Sequence, residues 1–326
     1  MEVNEFLKEW HDDSPLLLVH TSGSTGAPKP LLVEKKRMIN SARITCDFLG
    51  LHPGDTVLLC MSLDYIAGKM VVVRSIERGL RLISVAPSGH PLREVEEHIN
   101  FAAMVPLQVF NSISVPDERR KLMNIDNLII GGGAIDDDLE KELRLFPNAV
   151  WATYGMTETL SHIALRRISG SQADEWFRPF SSVKVKLNDE GCLVINAPLV
   201  CKDILTTNDC AEIKDNSFRI IGRKDNVICS GGIKIQIEEV EKVLRRYLSR
   251  PFAITKRKDI KFGETVVLLT EDNDVDKVRD CCLRSLPKYW MPHAFYHIKK
   301  MPMTETGKLA RATAEQIVRN IEKGTL

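Results

Sequence analysis

The chain has 326 residues, with 45 Lys and Arg against 44 Asp and Glu, a formal net charge of +1 and 44% hydrophobic residues. That length suits one large domain with a satellite, or two domains, and the hydrophobic content excludes a disordered chain. The charge balance excludes a global field for nucleic acid or an anionic membrane, so an anionic ligand needs a local site and the expected partner is a small molecule.

The N-terminus, MEVNEFLKEWHDDSP, is acidic and lacks a long apolar core, so it does not read as a secretory signal. No apolar run approaches the ~18 residues of a transmembrane helix. Eight cysteines (46, 60, 192, 201, 210, 229, 281, 282) form no C-x-x-C pair, and the one close pair is adjacent. They read as reduced, mostly buried thiols of a cytoplasmic protein.

From Pro15 to about Thr153, short apolar runs alternate with longer periodic ones. The segments 16–20 (LLLVH), 55–60, 80–86, 127–130 and 149–153 predict buried strands; 34–49, 65–78, 92–99 and 136–146 predict helices. This alternation predicts an α/β fold with a mainly parallel sheet covered on both faces. Ligands of such sheets sit beyond the strand carboxyl ends. LLLVH runs into TSGSTG, NLII into GGGAID and AVWAT into YGMTET, so three loops are expected at one sheet edge. After residue 180, short strands and turns predict a β-rich layer. The C-terminal hundred or so residues predict a small α+β domain, reached through the linker GRKDN at 222–226.

The loop at 21–29, TSGSTGAPK, fails the G-x-x-x-x-G-K-[ST] phosphate-loop pattern, because Gly23 and Gly26 are too close and Pro30 follows Lys29. It nevertheless suits phosphate: glycines let backbone N–H groups converge, Thr21, Ser22, Ser24 and Thr25 offer hydroxyls, and Lys29 carries charge. In isolation, turn chemistry explains such composition equally well. YGMTET places a ring (Tyr154), a hydroxyl (Thr157) and a carboxylate (Glu158) in one turn after a strand, which suits base stacking, phosphate contact and magnesium; alone it could be a helix cap. TTNDCAEI places Asp209 before a strand, where a carboxylate can accept both ribose hydroxyls or simply close a turn.

The ordered series TSGSTGAPK, GGGA, YGMTET, TTND, GRKDNVICSGGIKIQIEEVE and PMTETGKLAR resembles the adenylate-forming superfamily of acyl-CoA synthetases, peptide-synthetase adenylation domains and luciferases, over about residues 16–312. Within it, TYGMTETLSHIALR most resembles the o-succinylbenzoate–CoA ligases of menaquinone biosynthesis. The resemblance implies an N-terminal AMP-binding domain (1–222) and a small mobile C-terminal domain (223–326) with its hinge near Asp225. It implies ATP and coenzyme A as substrates, Mg2+ as cofactor, and two half-reactions, in which a carboxylate attacks the α-phosphate of ATP and a thiol then displaces AMP.

By the same resemblance Thr21, Ser22, Gly23, Ser24, Thr25, Gly26 and Lys29 hold the β,γ-phosphates. Gly133, Ala134, Tyr154, Gly155 and Met156 line the adenine side; Thr157 meets the α-phosphate and Glu158 the magnesium; Asp209 and Arg223 bind ribose. Lys308, in TGK, reaches the α-phosphate and the carboxylate, and Ser230, Gly231 and Gly232 face the pantetheine arm. For the second carboxylate of an aromatic diacid the candidates are Ser161, His162 and Arg166.

Three departures bear on these expectations. About twenty residues precede the TSG loop, where relatives ordinarily carry a whole subdomain, so an acyl pocket open on that side, or completed by a second subunit in a homo-oligomer, is expected. Asp64-Tyr65 stands where an aromatic–His pair is common, and TTND replaces T-G-D. The alternatives are another acyl- or aryl-CoA ligase, or a nucleotide-binding relative without turnover.

Overall fold

The structure, a computed structural model, describes residues 1–20, 30–303 and 309–324. It divides into two compact units. The first holds Met1–Lys186, Val194–Leu205 and Ile213–Arg219; the second holds Leu187–Leu193, Thr206–Glu212 and Ile220–Leu326. The boundary expected at 222/223 therefore falls three residues earlier, and two shorter segments group with the C-terminal unit.

The first unit opens with α1 (Val3–Trp10) and the hairpin β1 (Leu16–His20) and β2 (Pro30–Glu34), followed by α2 (Lys35–Leu49), β3 (Thr56–Leu59), α3 (Ile66–Arg78), β4 (Arg81–Ser84) and β5 (Phe101–Met104). Helices α4 (Pro106–Ile113) and α5 (Pro116–Met123) lead to β6 (Asn127–Ile130), α6 (Asp137–Arg144), β7 (Ala149–Gly155), β8 (His162–Arg167) and β9 (Arg178–Pro179). Seven of these strands form one sheet in the order β4-β3-β5-β6-β7-β8-β9. Strands β4 to β7 run parallel, and β8 turns back antiparallel on β7.

The parallel strands are apolar on both faces, as a doubly covered sheet requires. Leu58, Ala102, Met104, Leu128, Ile130 and Val150 pack against Leu122, Leu139, Leu143 and Phe146 of the helical segments between them. Residues alternating with these, including Val57, Phe101 and Ile129, are buried on the other face.

Two sequence expectations change here. LLLVH does not enter the large sheet: β1 pairs antiparallel with β2 in a separate two-stranded sheet, Leu16 opposite Glu34 and His20 opposite Pro30. A strand followed soon in the sequence by a complementary apolar run can take it as an antiparallel partner and needs no crossover. The helix expected at 92–99 is a chain of turns. Leu92, Val95 and Ile99 are buried in the core, so the helical spacing of the apolar residues is satisfied by a folded-over loop after Pro91.

Strands β10 (Lys184–Leu187), β11 (Cys192–Asn196), β12 (Leu205–Lys214) and β13 (Ser217–Arg223) form the expected β-rich layer, a four-stranded sheet in that order. The C-terminal unit continues with β14 (Val227–Ser230), β15 (Ile233–Gln236), α7 (Ile237–Leu244), β16 (Phe252–Asp259), β17 (Gly263–Thr270), α8 (Val275–Ser285), β18 (Ala294–His297) and α9 (Arg311–Glu322). Its sheet runs β15-β14-β17-β16, with β18 pairing β17. Along β17, Val266 and Leu268 join a core with Val240, Leu244 and Val278, whereas Val267 and Leu269 join a second core with Ala314 and Val318. The period of two in a strand thus gives each face its own helices.

Candidate active site

Two of the expected loops do share an edge. GGGAID (131–136) follows β6 and YGMTET follows β7, and these strands are parallel neighbours, so both loops leave the carboxyl end of the sheet. The first ends on Asp136, whose carboxylate accepts from the Asp138 N–H and caps α6. Gly133 is half-buried and Ala134 exposed. In the second, the Tyr154 ring meets Phe218 edge-on at 5.0 Å and Phe177 at 5.9 Å, which holds it as a fixed wall.

The chain then makes a single 3-10 turn over Thr157–Thr159, closed by Leu160 N–H donating to the Thr157 carbonyl at 2.9 Å. Thr159 pins it: its hydroxyl receives the Met156 N–H at 3.1 Å and lies 2.7 Å from the Ser161 carbonyl. The register slips between Tyr154 and Gly155, and a Cβ at Gly155 would stand 2.3 Å from the Ser161 carbonyl oxygen and 2.5 Å from the His162 Cα. Only glycine admits that return of the chain. Leu160, buried, closes the turn at φ 67°, a strained position for a branched side chain. Thr157 is left half-buried and Glu158 exposed, and neither side chain makes a hydrogen bond or ion pair with another described residue.

Directly behind this turn lies a group absent from the sequence expectations. Arg74, on α3, is 1% exposed, and among the described residues it has no carboxylate partner. Its Nη2 donates to Ser161 Oγ at 2.7 Å and approaches Thr45 Oγ1 at 3.4 Å, while its Nε has no partner. His162 Nε2 is 3.0 Å from Thr45 Oγ1, and His162 Nδ1 is 3.2 Å from Ser161 Oγ.

The proton arrangement follows from the donors. Thr45 gives its hydroxyl proton to the Ser41 carbonyl at 3.0 Å, so its oxygen accepts from His162 Nε2–H. His162 Nδ1 is then an acceptor for the Ser161 hydroxyl, whose oxygen in turn accepts from Arg74. His162 is the neutral tautomer, and burial, followed by the charge of Arg74, holds it well below its ordinary titration range. Burial also brings Arg74 down to about 10. A buried cation that lacks a counter-anion is costly in a resting fold, and such groups cluster where a ligand supplies the missing charge. The sequence signal for it is a lone Arg inside the apolar run KMVVVRSI.

Ser161 and His162, expected as acid-binding residues, are therefore brought together with Arg74. Arg166 is not available for that role. Its Nη1 and Nη2 bond Glu140 Oε1 and Oε2, both at 2.7 Å, and its guanidinium lies over the Phe177 ring. A bidentate carboxylate satisfies the planar fork.

In the C-terminal unit, Arg223 Nη1 donates to Asp209 Oδ1 at 3.0 Å, and its Nη2 to Asp225 Oδ2 at 2.9 Å. Asp209 lies inside β12, not before a strand. Asp225 also receives Asn208 Nδ2 at 3.1 Å, so the expected hinge residue is tied to Arg223 and Asn208. Ser230, Gly231 and Gly232 form the β14–β15 hairpin turn. Gly231 (φ 56°) and Gly232 (φ 83°) both take the left-handed region that a two-residue turn of this hand demands.

Thr21, Ser22, Gly23, Ser24, Thr25, Gly26 and Lys29, together with Lys308, lie outside the described residues. A cavity of about 350 Å3 between the end of α7 and α8 is lined by Tyr247, Leu248, Asp272, Lys277, Cys281 and Arg284, and no expected site residue borders it. Among the described residues no cluster of three His, Cys, Asp or Glu could hold a metal, and no helix is long and apolar enough to cross a membrane. All eight cysteines are free; four are buried and Cys229 is exposed.

The chain is 30% identical to an acyl-CoA synthetase (AMP-forming)/AMP-acid ligase II-like protein from Dyadobacter fermentans, whose structure superposes with a TM-score of 0.66 over 96% of this chain and 93% of that one. It is 25% identical to the 2-succinylbenzoate–CoA ligase of Enterococcus faecalis, over 94% of this chain and 70% of the relative. The fold matches that of the o-succinylbenzoate CoA synthetase from Bacillus subtilis in complex with an acyl-adenylate intermediate, with a TM-score of 0.76 at 22% identity over 91% of this chain and 68% of that one. A family description, AMP-binding enzyme, matches residues 3–197, more than half of the sequence. The chain belongs to the AMP-binding enzyme family.

Proposed function

We propose that this protein is an ATP-dependent acid–CoA ligase whose acid carries a second carboxylate, and that the acid is 2-succinylbenzoate, as named for its curated relatives. In the first half-reaction a carboxylate oxygen attacks the α-phosphorus of ATP and pyrophosphate leaves; in the second, the coenzyme A thiol attacks the acyl carbon and AMP leaves. Adenylation converts a poor electrophile into one with a good leaving group.

The observation that carries the dicarboxylate reading is Arg74, a buried cation with Ser161 and His162 at its head and no carboxylate of its own among the described residues. A ligand carboxylate at this place would supply the absent charge and accept from donors already oriented. In this reading Tyr154, with Gly155 and Met156, lines the adenine side, Thr157 meets the α-phosphate, and Asp209 with Arg223 takes the ribose.

Magnesium fits the donors that are present. One exposed carboxylate, Glu158, with no metal-binding acidic cluster among the described residues, is the provision expected for an ion held chiefly by substrate phosphates. Bound there, magnesium would neutralise charge on the phosphates. Lys308 is assigned to the α-phosphate and acid carboxylate, Asp225 to the hinge, and Ser230, Gly231 and Gly232 to the pantetheine arm. The free thiols accord with a reducing, cytoplasmic setting.

The test is acid-dependent exchange of labelled pyrophosphate into ATP across a panel of acids. Exchange with 2-succinylbenzoate, and its collapse when the non-reacting carboxylate is esterified, is the expected outcome. Exchange only with monocarboxylates would assign another aryl or acyl acid, and none with any acid would leave a nucleotide-binding protein without turnover. Lys308→Ala is expected to lose most exchange while still forming thioester from supplied acyl-adenylate.

A further inference from the structure

Strands β11 and β12 are neighbours, and the Ala211 N–H donates to the Gly191 carbonyl at 3.1 Å. The Thr207 hydroxyl donates to the Leu193 carbonyl at 2.8 Å, so the two strands run antiparallel, and the register set by the Ala211–Gly191 bond places Cys192 opposite Cys210 at a non-hydrogen-bonded position. Such positions bring Cα atoms to about 4.5 Å with the side chains close together, inside the ~4.4–6.8 Å range that a disulfide spans. The two side chains lie near enough for the Cys192 thiol to act on the ionisation of Cys210. Cys192 is 1% exposed and Cys210 is half-buried, so a solution oxidant meets Cys210 first. Cys210 follows Asp209 directly, whose carboxylate holds Arg223.

We propose that Cys192 and Cys210 are a reversible dithiol–disulfide couple that lowers the affinity of this protein for ATP when oxidised. The effect on ATP rests on the reading of Asp209 as the ribose ligand; the couple itself does not. With hydrogen peroxide as oxidant, the Cys210 sulfur attacks a peroxide oxygen to give a sulfenic acid and release water. The Cys192 sulfur then attacks the Cys210 sulfur, the S–S bond forms and a second water leaves. Two thiols lose two electrons to one hydrogen peroxide, and a dithiol reductant reverses the change. The link draws one edge of β12 toward β11 beside Asp209, and ribose recognition needs that carboxylate in place.

The couple is slow at neutral pH, unlike an exposed low-pKa thiol. Burial, and then the Cys192 thiol, Glu238 and Asp209 facing it, push the Cys210 thiol up to about 11. Its thiolate fraction at pH 7 is about one in ten thousand, and oxidation accelerates about tenfold per pH unit up to pH 9.

Intact protein treated with hydrogen peroxide at pH 8.5, alkylated and digested, is expected to yield one peptide pair joined through Cys192 and Cys210. The KM for ATP in pyrophosphate exchange is expected to rise about tenfold to a hundredfold, the worth of one charge-assisted hydrogen bond, and to return with dithiothreitol. Cys210→Ser and Cys192→Ala should abolish the response, and Cys229→Ser, which removes the exposed thiol, should keep it. Absence of the joined peptide, or a joined protein with an unchanged KM for ATP, overturns the proposal. Reduced Asp209→Asn with an unaltered KM for ATP would instead overturn the ribose assignment, while the joined peptide decides the couple independently.

Discussion

Replacing Arg74 by methionine should separate the stability of this fold from its catalysis. Burial lowers the Arg74 guanidinium to about 10, which at about 1.4 kcal/mol per pH unit places about 3 kcal/mol against its charged form. Opposing this is its hydrogen bond to Ser161 at 2.7 Å, worth about 1.5–3 kcal/mol for a charged donor. Methionine follows the aliphatic stem, and both hydroxyls keep partners, because Thr45 still donates to Ser41 and Ser161 to His162. The two terms nearly cancel, so Arg74→Met should unfold in urea within about 1 kcal/mol of the parent protein. Both folded and unfolded Arg74 are protonated below pH 10, so this difference is flat across the working range. The KM for the acid in pyrophosphate exchange should rise about a hundredfold or more, as expected for a lost charge-assisted carboxylate contact. A structural arginine behaves oppositely. A stability loss above about 3 kcal/mol, or an unchanged KM for the acid, would refute the assignment.

His162 gives a pH signature. Its folded form resists protonation, so the unfolded chain takes up the proton first and stability falls as pH drops through and below 6.5, by at most about 1.4 kcal/mol per unit. Urea midpoints between pH 7.5 and 5 should show this slope in the parent protein and its loss in His162→Gln. Gly155→Ala drives a Cβ into the backbone at Ser161 and His162, and should cost about 1–3 kcal/mol and weaken exchange by displacing the Thr157–Glu158 turn; unchanged melting would contradict the close approach. In the C-terminal unit Arg311 holds Glu241, whose side chain is 4% exposed, through bonds of 3.1 and 2.7 Å, and Glu241 also accepts the Ile254 N–H. Arg311→Met strands that carboxylate and should destabilise by about 3–5 kcal/mol, most of which Glu241→Met added to it should restore. Denaturant unfolding of both variants decides the point.

Local patterning determined much of this protein. Alternating apolar runs placed β3, β6 and β7 and the loops after β6 and β7, because a parallel strand buried on both faces has little freedom in composition. The Ser230-Gly231-Gly232 turn was legible too, since hairpin geometry acts over a short stretch of chain.

What only the tertiary structure decided is where each segment finds its partner. LLLVH looks like any buried strand until β2 claims it, and LREVEEHI carries helical spacing that a buried loop satisfies as well. Arg166 and Arg74 have the same chemistry in the sequence. Glu140, 26 positions upstream of Arg166, neutralises one; α3 buries the other against Thr45 and Ser161 with no carboxylate in reach among the described residues. A charge acquires a role from its solvation and its neighbours, and both are set by contacts between residues far apart in the chain.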